Sequence, residues 1–235
     1  MLLSESPLCD AVFLNRPNRF VCEVRLDSGV VVKAHMPNTG RMGELLIPEA
    51  PLRVAYQPSP KRKTAYTVFS VLSNDVWVCT YAAMANALAL EHIKSEINYD
   101  VLQREKIFRD SRFDVYARKN NKEYLWEVKS VNLVVTENNH HIALFPDAPT
   151  SRGVKHLKGL IQAAVEGYGS TVLFVVLRSD AEAVKVNGIT DPEFAKFIDE
   201  AAQSGIKIRA IGCRVDKNTI HVEKTLPFKG VFEGQ

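Results

Sequence analysis

Asp114, Glu127 and Lys129 are the residues of this chain whose types and spacing could assemble a metal-dependent phosphodiesterase site. Lys119-Asn120-Asn121-Lys122 lies between two strand-like runs, and asparagine tolerates the positive φ that a tight two-residue hairpin turn demands. With Asn120-Asn121 as the turn, Asp114 faces Glu127, Arg112 faces Lys129, Phe113 faces Val128 and Val115 faces Trp126. Strand side chains alternate, so Phe113, Val115, Trp126 and Val128 share one face while Arg112, Asp114, Glu127 and Lys129 share the other. Directly opposed like charges destabilise a sheet. A divalent cation between the two acids, and a phosphate beside the two bases, would turn both repulsions into attractions. Oxygen ligands without nearby cysteine favour Mg²⁺ or Mn²⁺ over Zn²⁺. Such a metal would polarise the scissile phosphate and activate water, with Lys129 orienting that water or steadying the developing charge.

A plainer arrangement uses the same residues. Arg112 is diagonal to Glu127 and Asp114 to Lys129, which makes an exposed salt-bridge lattice of little energetic weight. Glu-x-Lys alone turns up about once by chance in a chain of this size, so spacing by itself leaves both readings open.

The elements that must position these residues follow from turn signals and periodicity. Residues 20–26 and 30–35 read as a hairpin about Asp27-Ser28-Gly29, and prolines and glycines then punctuate short strands at 52–56, 64–72 and 75–79. The N-terminal third is therefore a small all-β unit, plausible as a barrel. After Thr80 the pattern changes: residues 81–95 read as a helix, 106–117 and 124–135 as strands, 151–166 as a helix, 171–177 as a strand, 192–203 as a helix and 206–215 as a strand. That alternation is α/β, and the expected division is 1–80 and 81–235.

Composition bounds the function. The apolar stretches at 81–90 and 171–177 are far shorter than the roughly 20 residues of a membrane span. Glu5 and Asp10 interrupt any secretion-type start, and Cys9, Cys22, Cys79 and Cys213 show neither disulfide nor zinc spacing, so a cytoplasmic protein with reduced thiols is expected. A net charge of +3 permits nucleic-acid binding without requiring it. The densest basic cluster is Lys61-Arg62-Lys63, a solvated loop or a phosphate contact.

Several separated motifs, in order, resemble the bacterial sugar fermentation stimulation protein family. They are Arg19-Phe20, Pro37-Asn38-Thr39-Gly40-Arg41-Met42, Ser111-Arg112-Phe113-Asp114, Glu127-Val128-Lys129-Ser130-Val131, Phe145-Pro146-Asp147-Ala148 and Ser151-Arg152-Gly153-Val154-Lys155-His156-Leu157. The resemblance spans nearly the whole chain. It implies an N-terminal OB-like barrel joined to a restriction-endonuclease-like α/β domain, with nucleic-acid binding, DNA more than RNA, and nuclease activity. The family's acid on the first hairpin strand falls on Asp114, its Glu-x-Lys pair on Glu127 and Lys129, and Glu91 best matches a further acid that reaches the metal through water. The chain departs from the family pattern at Ala87 and Leu90, which replace an expected base and an acid, and at Arg109-Asp110, which replaces a small turn.

Thr150 or Ser151 can cap the helix at 151–166, setting Arg152, Lys155 and His156 in its first turns, where phosphate binds readily. His156 reads equally as a satisfied core histidine. Arg41, in a Pro/Gly-bounded loop, reads as a nucleic-acid contact or as a tie between the domains. His140-His141 reads as loop decoration. Phe20, Tyr56, Tyr66 and Phe69 are candidates for base stacking, although most such aromatics belong to cores. A homodimer is compatible with cutting both strands of a duplex, though no motif specifies one. The rival to catalysis is a non-catalytic DNA-binding regulator of sugar utilisation genes that keeps the acidic site for structure or metal.

Overall fold

Gly29 adopts φ +84° and its N–H donates to the Leu26 carbonyl, closing the expected turn in the computed structural model, which describes residues 1–58, 60 and 63–234. Lys61 and Arg62 lie outside the described residues. Contacts divide the chain into one unit of Met1–Met84, Leu177–Asp180 and Cys213–Glu223, and a second of Ala85–Val176, Ala181–Gly212 and Lys224–Gln235.

The first unit is built on β1 (Leu8–Asn18), β2 (Val21–Leu26), β3 (Val31–His35), β4 (Pro51–Tyr56), β5 (Tyr66–Ser73) and β6 (Val76–Cys79). β1 pairs with β2 and β4, β2 with β3, and β4 with β5, all antiparallel. A short parallel pairing of Ala34 with Tyr66 and His35 with Thr67 joins β3 to β5. These five strands close in the order 1-2-3-5-4-1 of an OB-like barrel, with β6 folded back on β5. Cys22, Val24, Ala34, Met36, Leu52, Val54, Val68 and Val71 are buried inside it. β1 was not expected from sequence. Only Ala11 and Phe13 of its residues are buried, and irregular pairing past Phe13 breaks the alternation that marks a strand.

The second unit carries α1 (Met84–Glu96), β7 (Val101–Phe108), β8 (Ser111–Lys119), β9 (Lys122–Val131), α2 (Ser151–Val165), β12 (Gly169–Val176) and α3 (Pro192–Gln203). Between and beyond these lie β10 (Val134–Glu137), β11 (His140–Phe145), β13 (Ala183–Asn187), β14 (Lys207–Val215), β15 (Ile220–Leu226) and β16 (Phe228–Phe232), the end of β14 and the start of β15 belonging to the first unit's segment Cys213–Glu223. The main sheet runs β15-β14-β12-β9-β8-β7, with β12 parallel to both neighbours and β7–β8–β9 an antiparallel meander. A second sheet runs β10-β11-β13-β16. The fold is α/β with three helices, as expected. No described helix is long and apolar enough to cross a membrane.

Two local expectations are corrected. The run at 106–117 is a hairpin, not one strand: Arg109 takes φ +53° between β7 and β8, a turn hidden by flanking apolar residues and a non-glycine at positive φ. His140 and His141 belong to β11, where His140 pairs with Glu137 and its ring bonds Glu182.

α2 starts as read, with Thr150 accepting from the Gly153 N–H at 3.0 Å. Its placement depends on Asp191, a buried N-cap that accepts from Phe194 at the start of α3 (2.9 Å) and from the Thr150 N–H (2.7 Å). One carboxylate thus fixes the starts of two helices. Asp191→Ala should lower the midpoint of urea unfolding by an amount equivalent to about 1–3 kcal/mol, with little change in slope. Unfolding at the wild-type midpoint would remove that shared anchor from the account.

Candidate functional site

Asn120 and Asn121 adopt φ +49° and +62°, the geometry of a tight primed turn, and β8 pairs with β9 from Lys119–Lys122 through Val115–Trp126. This is the register expected from sequence. One step further the ladder gives way to a side chain: Asp114 Oδ2 accepts from the Val128 N–H at 2.8 Å, while Oδ1 accepts from the Asn86 amide on α1 at 2.9 Å. The Asp114 carboxylate is therefore pinned to the backbone of β9, beside Glu127.

Glu127 is buried, 3% exposed, and Lys129 nearly so at 8%. Lys129 Nζ donates to Glu127 Oε1 at 2.7 Å, and His156 Nδ1 on α2 bonds the same oxygen. Glu127 Oε2 is buried with no hydrogen-bond partner among the described residues. Burial, then the neighbouring Glu127 charge, hold the Asp114 carboxyl above its ordinary value, against the Val128 N–H, Lys129 and Asn86. Burial pushes Glu127 the same way, but Lys129 and His156 outweigh it, and Glu127 ends below its ordinary value.

The donors fit a hard divalent cation. One acid carries a buried oxygen with no hydrogen-bond partner among the described residues, the second is an acid whose ionised form burial and that neighbour disfavour, and Mg²⁺ typically takes one or two carboxylates and keeps several waters. Among the described residues no group of three or more His, Cys, Asp or Glu side chains is arranged to hold a metal. Glu91, matched to a third acid, is exposed on α1 and forms no such group with Asp114 and Glu127.

The expected base-to-base opposition is not found. Arg112 is exposed, pairs across β7 with Ile107 and meets Glu105 at 3.5 Å, whereas Lys129 is turned inward to Glu127. Lys129 finds its counter-charge two residues back on its own strand and needs no phosphate to satisfy it. Phe113 also leaves its expected face: it packs in the core with Leu125 and Val131, its ring edge-on to His156.

The outlying basic residues stand apart from this centre. Lys155 is exposed and paired with Asp110 at 3.2 Å, and Arg152 is exposed with no ion-pair partner among the described residues. In the first unit, Lys63 and Arg41 are exposed. Arg41's loop is held by the Arg16 guanidinium, which donates to the carbonyls of Asn38, Gly40 and Arg41. Of the aromatics considered for stacking, Phe20 and Tyr56 are exposed and Tyr66 lies edge-on to Tyr56, but Phe69 is 3% exposed and stacks on Tyr81. Sequence reasoning did not single out Asn86; the signal was a lone amide in the run Met84-Ala85-Asn86-Ala87-Leu88. His156, read two ways, proves to be a buried partner of Glu127.

Two family descriptions match the chain: "SfsA N-terminal OB domain" over residues 14–80 and "Sugar fermentation stimulation protein RE domain" over residues 80–219. A sugar fermentation stimulation protein homolog from Desulforamulus reducens is 38% identical over 229 residues, covering 94% of this chain and 92% of its own. Another, from Acetivibrio thermocellus, is 39% identical over 218 residues, covering 90% and 91%. The structure of Pyrococcus furiosus SfsA in complex with Ca²⁺ superposes with a TM-score of 0.84 at 28% identity, covering 97% of this chain and 99% of that one. The chain belongs to the sugar fermentation stimulation protein (SfsA) family.

Proposed function

We propose that this protein is a nucleic-acid-binding phosphodiesterase, acting on DNA in preference to RNA, whose site holds Mg²⁺ or Mn²⁺ between Asp114 and Glu127. The observation that carries this reading is the buried, unpartnered Glu127 Oε2 beside a second acid whose charge is disfavoured. A divalent cation would satisfy that oxygen and relieve that repulsion. The relative from Pyrococcus furiosus, described in complex with Ca²⁺, supports a site for a hard, oxygen-seeking ion.

When bound, the metal supplies Lewis acidity toward a phosphoryl oxygen and a more acidic water. The chain's own groups do the rest. Asn86 and the Val128 N–H hold both oxygens of Asp114 and so fix the orientation of the carboxylate. His156 and Lys129 hold Glu127 Oε1, leaving Oε2 for the ion. Lys129 presents an ammonium beside the acids, where it steadies charge developing on the phosphate. Arg112, Arg152 and Lys155 in this unit, with Arg41 and Lys63 in the barrel unit, supply exposed positive charge for the phosphate backbone. The Lys61 and Arg62 contacts, and a homodimer cutting both strands of a duplex, extend the same proposal.

A second reading, binding without hydrolysis by a regulator of sugar utilisation genes, draws on one observation: no third His, Cys, Asp or Glu side chain joins the two acids in a metal-holding group among the described residues.

Purified protein should cut labelled DNA in the presence of Mg²⁺ or Mn²⁺, and Asp114→Ala with Lys129→Ala should slow cleavage by about 100-fold or more. A double variant as active as wild type would place the chemistry elsewhere, and a wild type that binds DNA but never cuts it would favour the regulator. Metal affinity should follow pH with a definite sign. Asp114's raised value means that its ionisation costs folding stability as pH rises through its folded pKa, whereas Glu127's depressed value contributes stability that is lost as pH falls through its own. Added Mg²⁺ should therefore raise the melting temperature most at neutral pH and little once Asp114 is protonated. An equal rise in Asp114→Ala would assign the ion to another site.

A further inference from the structure

A cleft of about 640 Å³ opens in the second unit where β9, β12 and β14 begin, and it contains none of Asp114, Glu127, Lys129, Asn86 or His156. Its volume falls within the range of roughly 300–1,000 Å³ that small-molecule sites occupy. Trp126 and Ser170 form buried parts of its wall, at 5% and 6% exposure. The Trp126 indole Nε1 and the Ser170 hydroxyl are both buried without a hydrogen-bond partner among the described residues.

The aromatic lining is specific. Tyr99 and Tyr124 meet edge-on at 5.7 Å, and Gly169, paired with Tyr124 across the strands, leaves space for that ring: a Cβ there would lie 2.4 Å from it. Any other residue at 169 would displace Tyr124. The Arg209 guanidinium lies 5.7 Å from the Trp126 ring and is held by Glu96. At the mouth, Lys122 and Lys207 are exposed, and Lys207 has no ion-pair partner among the described residues. Among the described residues no Asp, Glu, Asn or Gln side chain lines the cleft. A sugar, which needs many donors and acceptors around its hydroxyls, is poorly matched. A flat aromatic ring with an attached anion is well matched.

We infer that this cleft binds a nucleoside monophosphate, its base against Tyr99, Tyr124 and Trp126 and its phosphate at Lys207 and Lys122, either as a free nucleotide or as the 5′-terminal unit of a strand. The inference is independent of the phosphodiesterase reading, because it uses a different set of side chains and needs no metal.

The test is isothermal titration of the full chain in EDTA, where no metal-dependent cleavage interferes, with adenosine and uridine 5′-monophosphates, adenosine, inorganic phosphate and a 5′-phosphorylated tetranucleotide. Nucleotide should bind more tightly than adenosine or phosphate alone. Lys207→Ala, at an exposed position, should weaken it about tenfold. Tighter binding of the tetranucleotide assigns the site to a strand end, and equal binding assigns it to the free nucleotide. The inference is overturned if no nucleotide binds wild type at millimolar concentration, if phosphate alone binds as well, or if Lys207→Ala binds as wild type does.

Discussion

The arrangement rests on two carboxylates placed together inside a protein. Like charges about 5 Å apart, at an effective dielectric constant of about 20, repel by roughly 3 kcal/mol, and burial penalises each ionised form further. The chain divides the problem unequally. Glu127 receives Lys129 and His156 and stays ionised, while Asp114 receives only neutral donors, Asn86 and a backbone N–H. That asymmetry explains why the two acids shift in opposite directions.

The rest of the second unit serves that asymmetry by fixing where the partners stand. His156 reaches Glu127 because α2 lies close on the sheet, and its glycines make the approach possible. A Cβ on Gly159 would lie 3.0 Å from Ser111 and 3.1 Å from Phe113 on β8, while one on Gly153 would lie 2.8 Å from the Thr150 cap and 3.0 Å from Phe194 of α3. Asp191 then ties the start of α2 to that of α3. β12, buried along almost its whole length between β9 and β14, gives β9 a rigid parallel neighbour through the site, with Val172 opposite Glu127 and Phe174 opposite Lys129. A carboxylate with a disfavoured charge keeps its place only on such a frame, since a mobile one would turn to water.

What was legible in the sequence was whatever local chemistry dictates. Two adjacent asparagines specified the turn and, through it, the register to Val115–Trp126; Thr150 specified the start of α2; Gly29 specified the first hairpin. Pattern failed where tertiary contacts override alternation. Phe113 turns toward α2 next to a β7 residue, Glu105, held at φ +57°, and Arg112 turns out to that same glutamate. Strand pairing alone cannot show that a long side chain such as Lys129 will fold back to an acid two residues away. The strands of the second sheet are four to six residues long, too short for a period-two signal to stand out. Arg109 hid a turn because positive φ at an arginine carries no signature in sequence.

β9 carries two unlike faces at adjacent positions. Leu125, Glu127 and Val131 turn toward α2 and the core, with Lys129 among them, whereas Trp126, between Leu125 and Glu127, turns to the Arg209 side and the cleft. Period-two alternation makes these faces inseparable: a slip of one residue would send the acid into the aromatic cleft and the indole against His156. The Asn120-Asn121 turn is therefore a constraint on both faces at once, and an insertion there would be felt at the acids and at Trp126 alike. Each face also carries a buried polar atom with no hydrogen-bond partner among the described residues, Glu127 Oε2 on one and Trp126 Nε1 on the other, so the register set by the turn decides what each atom meets.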